Sequence, residues 1–236
     1  MRMTGEACTT PSGLSEAILW DFQDGALATL VLEHYGFDQA LLPQVGPTFS
    51  AQGALTADAA EALGLPESTP VSYRAGDQPN NAFSLNVLNP GEVAATAGTS
   101  GVIYAVAEEP LYDPRSRVNT FVHVNYTPET PRYGMLLCVN GTGILNSWLK
   151  HTVGAGSGMD YAQMNEQAAG VAPGSEGLVV LPYGNGAERT LGNRDLGASV
   201  RRLQLNLHTQ AHLFRAAQEG IVFALRYGLE VMQSAG

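Results

Sequence analysis

The sequence has few charged residues, few cysteines and no long apolar run, and each shortage excludes a class of protein. Charged residues make up 14% of the chain. The two cysteines, Cys8 and Cys138, are too few for a disulfide framework, and they fit a reducing, cytoplasmic location. No run approaches the ~20 apolar residues of a membrane-spanning helix, and the first six residues lack the apolar core of a signal peptide. We therefore expect a soluble cytoplasmic protein without a membrane partner.

The charge is strongly one-sided. Twelve Lys and Arg residues stand against 22 Asp and Glu residues, which gives a formal net charge of −10. An acidic surface repels a phosphate backbone, so nucleic acid is not an expected partner. A small nucleotide is still compatible with this charge, because backbone N–H groups and a metal ion can hold its phosphates.

Helical and strand-like stretches are mixed along the 236 residues, which is enough chain for one large domain or parts of two. Thr56 and Gly64 predict the two ends of a helix over residues 57–63. Residues 70–75 have the pattern of a strand, and the Asn89-Pro90-Gly91 turn is the best candidate for a domain boundary. A long helix is predicted from Asn206 or Thr209 to residue 232.

Between the turn at residues 89–91 and the long helix, four strand-like runs favour a meander. They cover residues 92–97, 102–106, 118–126 and 133–139. Helices are expected over residues 143–149 and 159–169, and a short buried strand over residues 177–182.

Asp77 is the first candidate for chemistry. It stands between a strand-like run and a helix-like run, where α/β folds bind ligands, and Gly76 beside it permits a close approach of substrate. Such an aspartate can accept a proton from a hydroxyl group that attacks phosphorus. The alternative interpretation is an ordinary helix-capping or turn aspartate.

Gly98-Thr99-Ser100-Gly101 is the second candidate, because two glycines and two hydroxyl groups in a tight turn can hold phosphate oxygens. A plain hairpin turn is the alternative. Gly141-Thr142-Gly143 is either an anion-binding helix start or only a helix entry. Residues 154–158 are interpreted as a flexible linker. His208 and His212 have helical spacing, but too few metal ligands accompany them to predict zinc.

Taken together and in this order, the motifs resemble those of the FGGY carbohydrate kinases, in particular the xylulokinase-like branch. The resemblance covers essentially the whole chain. It is carried by residues 2–6, by Ala75-Gly76-Asp77-Gln78, by residues 90–101 with Gly98-Thr99-Ser100-Gly101, and by residues 207–220 of the long helix.

The resemblance implies an α/β, actin-like (ribonuclease H-like) two-domain sugar kinase fold, only partly covered by this chain. Residues 1–89 would be the C-terminal part of the first kinase domain, and residues 90–236 the N-terminal part of the second. Asp77 would be the catalytic base, Gln78 would lie beside it and touch the sugar, and Gly98, Thr99 and Ser100 would contact the ATP phosphates. ATP and Mg²⁺ would be the cofactors, and the expected substrate is a pentulose such as D-xylulose.

The chain also departs from the family pattern. The family's early aspartate-glycine-threonine phosphate motif does not occur upstream of Asp77, and its late glycine-rich adenosine loop does not follow the long helix. The chain is therefore interpreted as a central fragment with little or no kinase activity by itself. Two alternatives stay open: a non-catalytic interaction or homodimerisation module, and a kinase for another sugar or polyol.

Overall fold

A computed structural model describes residues 2–235, apart from the side chain of Ser157, and shows a mixed α/β chain with seven α-helices in that range. The helices are α1 (Pro11–Glu16), α2 (Thr29–Tyr35), α3 (Ala57–Leu63), α4 (Asp77–Ser84), α5 (Gly143–Thr152), α6 (Tyr161–Ala169) and α7 (Gln210–Ala235). The strands are β1 (Cys8–Thr9), β2 (Trp20–Asp21), β3 (Ala26–Leu27), β4 (Gln44–Val45), β5 (Val93–Ala97), β6 (Gly101–Ala107), β7 (Asn119–Val122), β8 (Tyr133–Val139), β9 (Val179–Leu181) and β10 (Ser199–Arg201).

The chain divides into two compact units. One comprises Met1–Ala94, Tyr104–Leu111 and Thr120–Met135, and the other comprises Ala95–Ile103, Tyr112–Asn119 and Leu136–Gly236. Strands β5, β6, β8 and β7 form a sheet in that order, and the chain passes from one unit to the other within each of these strands.

Short elements with side-chain caps build the first unit. The Thr10 hydroxyl accepts a hydrogen bond from the Gly13 amide at the start of α1, and Thr56 does the same for the Ala59 amide at the start of α3. These acceptors satisfy N–H groups that a helix start leaves without a partner. Two small two-stranded pairings, β1 with β4 and β2 with β3, belong to the same unit.

An apolar core lies among the helices of the second unit. Helices α5 and α6 pack on α7, which also packs on β9. Phe214 of α7 and Met164 of α6 are fully buried in this core. The start of α6 is fixed by a reciprocal cap between Asp160 and Gln163, which explains why the helix begins at Tyr161 rather than at residue 159.

Several predicted elements are confirmed. Helix α3 has the predicted bounds and ends at Gly64 in the left-handed conformation. Helix α5 begins at the predicted residue 143, and α7 begins directly after Thr209.

Two predictions are wrong. Residues 71–75 are not a strand, because they meet residues 48–55 only through scattered backbone hydrogen bonds and one isolated bridge between Ala54 and Pro70. The four central strands are not a meander, because β8 lies between β6 and β7. The connection over residues 108–118 is far longer than the roughly 2–5 residues of a hairpin loop, so β7 need not pair with β6.

Candidate functional site

Asp77 is the first residue of α4, in the first unit, and its side chain is exposed. The residue before it, Gly76, is the N-cap and has no side chain with which to cap the helix. Asp77 therefore lies in the first helical turn, next to N–H groups that need an acceptor.

Helix α1 supplies the acceptors for the start of α4. The Ser12 hydroxyl accepts a hydrogen bond from the Gly76 amide at 3.1 Å. One carboxylate oxygen of Glu16 accepts from the Asp77 amide and the other from the Gln78 amide, both at 3.0 Å. Three successive N–H groups are thus held by two side chains more than 60 residues away, which fixes the backbone of the Asp77 turn.

The glycine at residue 76 is explained by the same contact. A Cβ atom there would lie 2.3 Å from the Glu16 carboxyl carbon and 2.4 Å from one of its oxygens. No larger residue fits without moving that carboxylate. The Gly76-Asp77-Gln78 sequence and Glu16 are therefore one structural arrangement.

Burial raises the pKa of Glu16 above its ordinary value, and the neighbouring Asp77 carboxyl group raises it further through its charge and a side-chain hydrogen bond. The two backbone hydrogen bonds oppose this shift. Sequence reasoning missed Glu16, because nothing in the local pattern links it to Asp77. The available signal was indirect: a glycine N-cap needs an acceptor from elsewhere in the chain.

The Gly98-Thr99-Ser100-Gly101 turn lies in the second unit, between β5 and β6, with Gly98 and Thr99 exposed and Ser100 half-buried. It is a tight turn, since the Gly98 amide donates to the Ser100 carbonyl oxygen at 3.1 Å. The structure brings this turn against the start of α5, where the Ile144 amide donates to the Thr99 carbonyl oxygen at 3.1 Å.

Gly141-Thr142-Gly143 forms the start of α5 and packs closely on this turn. A Cβ atom on Gly143 would lie 1.9 Å from the Gly98 carbonyl oxygen. The Thr142 side chain is 2% exposed, and its hydroxyl oxygen has no hydrogen-bond partner within the described part of the chain. A ten-residue helix with a free buried hydroxyl at its N-terminus is suited to bind an anion.

Asn140, just before this helix start, is hydrogen-bonded to the loop that precedes β10. Glu188 is 1% exposed, and its carboxylate accepts hydrogen bonds from the Asn140 amide at 3.0 Å and from the Thr190 hydroxyl at 3.1 Å. The Asn140 side-chain amide donates to the Ala187 carbonyl oxygen at 2.9 Å. The backbone that leads into α5 is therefore held by Ala187 and Glu188.

A cavity of about 400 Å³ runs along α5 in the same unit. Its wall is mostly apolar and includes Trp148 of α5, which is 55% exposed. Ile144 belongs both to the cavity wall and to the contact with the Thr99 turn. An apolar cavity thus adjoins a turn rich in backbone N–H groups and hydroxyl groups.

The remaining sequence candidates have structural roles. Within residues 154–158, which were interpreted as a flexible linker, Ala155–Ser157 form a short 3₁₀ helix after α5. His208 and His212 accept hydrogen bonds from the Gln204 and Thr209 amides at the start of α7. Across residues 2–235, no three His, Cys, Asp or Glu side chains are grouped so that they could hold a metal ion. No helix in that range combines the length and apolar composition needed to cross a membrane.

Both parts of the chain match domains of one protein family. Residues 1–84 match the N-terminal domain of the FGGY family of carbohydrate kinases, and residues 93–236 match its C-terminal domain. The xylulose kinase of Lactococcus lactis is 26% identical over 98% of this chain and 44% of its own length. The gluconokinase of Bacillus licheniformis is 27% identical over 89% of this chain and 40% of its own length.

Solved structures agree with these sequence matches. The crystal structure of xylulose kinase from Rhodospirillum rubrum superimposes with a TM-score of 0.84 at 28% identity, over 100% of this chain and 46% of that one. This chain therefore spans less than half the length of the relatives that it matches.

Proposed function

Because the chain belongs to the FGGY family of carbohydrate kinases, we propose that the protein that carries it transfers a phosphoryl group from ATP to a sugar hydroxyl group. One observation supports the proposal above the others. The exposed Asp77 carboxylate stands on a helix start whose N–H groups are already bound by Glu16, so capping is not the task of Asp77.

Asp77 is the proposed catalytic base. As the sugar oxygen attacks the γ-phosphorus of ATP, the hydroxyl proton passes to the Asp77 carboxylate and the bond from phosphorus to the ADP oxygen breaks. Gln78 follows Asp77 in the same turn, and its side chain is the proposed hydrogen-bonding contact to the sugar. The protein takes little part in the covalent chemistry of this reaction. The correct placement of Asp77 therefore supplies much of the protein's contribution to the rate.

The second unit is the proposed nucleotide site. Gly98, Thr99 and Ser100 contact the phosphates through backbone N–H and hydroxyl groups, and the Thr142 hydroxyl at the start of α5 adds a donor. The adenosine occupies the cavity beside Trp148. Mg²⁺ enters with ATP, because this ion usually binds through phosphates and waters with only one or two protein carboxylates.

A pentulose such as D-xylulose is the proposed substrate. Xylulose kinases occur both among the curated relatives and among the similar solved structures. The gluconokinase match keeps a second sugar or a polyol as the alternative. The proposed location is the cytoplasm, where ATP is available and where the free thiols of Cys8 and Cys138 stay reduced.

The experiment is a coupled ADP-release assay on the full-length protein that carries this chain, with D-xylulose, gluconate and glycerol compared at equal concentrations. We expect ATP-dependent turnover with D-xylulose to be the fastest. Faster turnover with gluconate than with D-xylulose would make gluconate the assigned substrate. No turnover with any sugar or polyol would contradict the kinase proposal. Quenching of Trp148 fluorescence by ATP, lost in Trp148→Phe, would report the nucleotide site separately.

A non-catalytic interaction or homodimerisation module is the second candidate. Helix α7 exposes Val222 by 60% and Phe223 by 67%, and exposed apolar side chains favour association. Size-exclusion chromatography of the 236-residue chain distinguishes the two states. A monomer at micromolar concentration would count against this candidate.

A further inference from the structure

Asp77 and Glu16 place two acidic side chains at one helix start. Glu16 ends α1, Asp77 begins α4, and the Glu16 carboxylate accepts a hydrogen bond from the Asp77 amide. Two carboxylate charges at one helix start disfavour each other, and Glu16 is also partly withdrawn from water. A neutral serine or threonine N-cap would satisfy the same N–H groups without this electrostatic repulsion. The unfavourable arrangement therefore indicates a function.

The geometry of Glu16 defines what it contributes. Its two oxygens each accept one N–H group, from Asp77 and Gln78, at 3.0 Å. Charge-assisted hydrogen bonds of this kind are about twice as strong as neutral ones, and two of them on successive amides fix the turn. The anion also complements the positive end of the α4 dipole.

The same contact decides what Asp77 is free to do. An aspartate in the first turn of a helix commonly folds back onto N–H groups of that turn. Here Glu16 occupies those groups, so the Asp77 carboxylate does not compete for them and remains exposed.

We propose that Glu16 is a positioning residue for the phosphoryl-transfer reaction: it takes over the capping of α4 and thereby holds Asp77 ready to accept the proton of the sugar hydroxyl. This inference rests on the proposed role of Asp77. Glu16 does not touch substrate. Gly76 belongs to the same arrangement, because only a residue without Cβ leaves room for the Glu16 carboxylate.

The first test needs no catalysis and uses the full-length protein that carries this chain. Amide hydrogen exchange at Asp77 and Gln78 is measured by NMR in the wild type, in Glu16→Ala and in Glu33→Gln, an exposed glutamate of α2 in the same unit. We expect exchange at both amides to accelerate about tenfold or more in Glu16→Ala, because hydrogen bonds to a charged group are lost. Glu33→Gln should leave both rates unchanged. Unchanged exchange in Glu16→Ala would overturn the proposal.

The second test measures turnover in the full-length protein. We expect Glu16→Ala to lower kcat by about tenfold to a hundredfold, since a displaced catalytic group costs that much, with KM for ATP within about twofold of the wild type. Glu16→Gln keeps one acceptor oxygen and should fall between the wild type and Glu16→Ala. A rise in KM for ATP at unchanged kcat would contradict a positioning role.

Gly76→Ala supplies the matched partner of this variant. Its new Cβ displaces the Glu16 carboxylate, so it should lower kcat as Glu16→Ala does, and the double variant should be no worse than either single one. Fully additive losses would overturn the proposal. The two proposals also fail separately: full kcat in Asp77→Asn would refute the catalytic base, whereas an inactive Asp77→Asn with a fully active Glu16→Ala would refute only the role of Glu16.

Discussion

His123 shows at the residue scale how burial sets a protonation state. It is 0% exposed in the first unit, and both ring nitrogens are hydrogen-bonded. Nε2 must donate to the Val87 carbonyl oxygen at 3.0 Å, because a carbonyl only accepts. In the neutral imidazole, which burial favours, Nδ1 then accepts from the Tyr104 hydroxyl at 3.0 Å. The two hydrogen bonds connect the residue that follows β7 with β6 and with the segment that follows α4.

A pH-dependent loss of stability follows from this histidine. Burial lowers the pKa of His123 from 6.5 to about 4. Between pH 6.5 and 4, this histidine is therefore protonated in the unfolded chain but neutral in the folded chain. The stabilisation present above pH 6.5 is lost as the pH falls toward 4. We expect about 3 kcal/mol of unfolding free energy to disappear over this range, as measured by urea unfolding at several pH values.

The matched variant for this prediction is His123→Gln. A glutamine amide can accept from Tyr104 and donate to Val87, but it does not titrate. Its stability should decline less between pH 6.5 and 4 than that of the wild type, while the exposed His34→Gln should follow the wild type. Equal pH slopes in the wild type and His123→Gln would show that His123 does not titrate on unfolding.

The residue scale also shows what sequence can and cannot predict. Asp77 was identified as a candidate because a turn aspartate between two regular elements is a local pattern. Glu16 was not, because its contact with the Asp77 and Gln78 amides is made across more than 60 residues and depends on how α1 and α4 pack. Local patterns carry no information on such a contact.

At the scale of elements, the join between the Gly98–Gly101 turn and α5 is the feature with the clearest consequence. The Thr99 carbonyl oxygen accepts from the Ile144 amide, and the Gly143 Cα lies directly against the Gly98 carbonyl oxygen. The turn that is proposed to hold phosphates is therefore shaped by the helix start.

Gly143→Ala tests this join. A Cβ atom would lie 1.9 Å from the Gly98 oxygen, so the turn has to move, and we expect the Kd for ATP to rise about tenfold, which corresponds to ~1.4 kcal/mol. Isothermal titration calorimetry measures it. Gly156→Ala is the control, since a Cβ there meets nothing within 4 Å. Equal Kd values for ATP in Gly143→Ala and Gly156→Ala would show that the Gly98–Gly101 turn does not contribute to nucleotide binding.

Elements with local end signals were predicted correctly, whereas the order in which the strands pair was not. Thr56 and Gly64 marked both ends of α3 because capping is a local interaction. The order of β6, β8 and β7 could not be predicted, because strand pairing after a long connection is decided by the rest of the fold. Residues 71–75 have strand-like composition but lack a regular partner strand.

At the scale of the whole molecule, the chain has the α/β, actin-like fold of the FGGY sugar kinases and covers under half of it. The resemblance in sequence motifs predicted this family correctly, although residues such as Gly98 and Asp77 are each ambiguous by themselves. Their order along the chain made the prediction specific. The division into residues 1–89 and 90–236 stays a proposal, as do the roles of the individual site residues.

The incomplete coverage leads to a prediction about activity. Phosphoryl transfer depends on groups that neutralise charge in the transition state, and loss of one such group commonly costs a hundredfold or more. The 236-residue chain has no aspartate-glycine-threonine phosphate motif upstream of Asp77. We expect it to phosphorylate D-xylulose at least about a hundredfold more slowly than the full-length protein in the same ADP-release assay. Equal turnover by the two proteins would show that the chain is catalytically sufficient.

The central claim is that Asp77 takes the proton of the sugar hydroxyl group. Its most direct test is kcat for D-xylulose phosphorylation by Asp77→Asn in the full-length protein, with ATP affinity measured in parallel. We predict that kcat falls by about a hundredfold to ten-thousandfold, the usual contribution of a general base, while the Kd for ATP stays within about twofold. A kcat within about twofold of the wild type would contradict the claim.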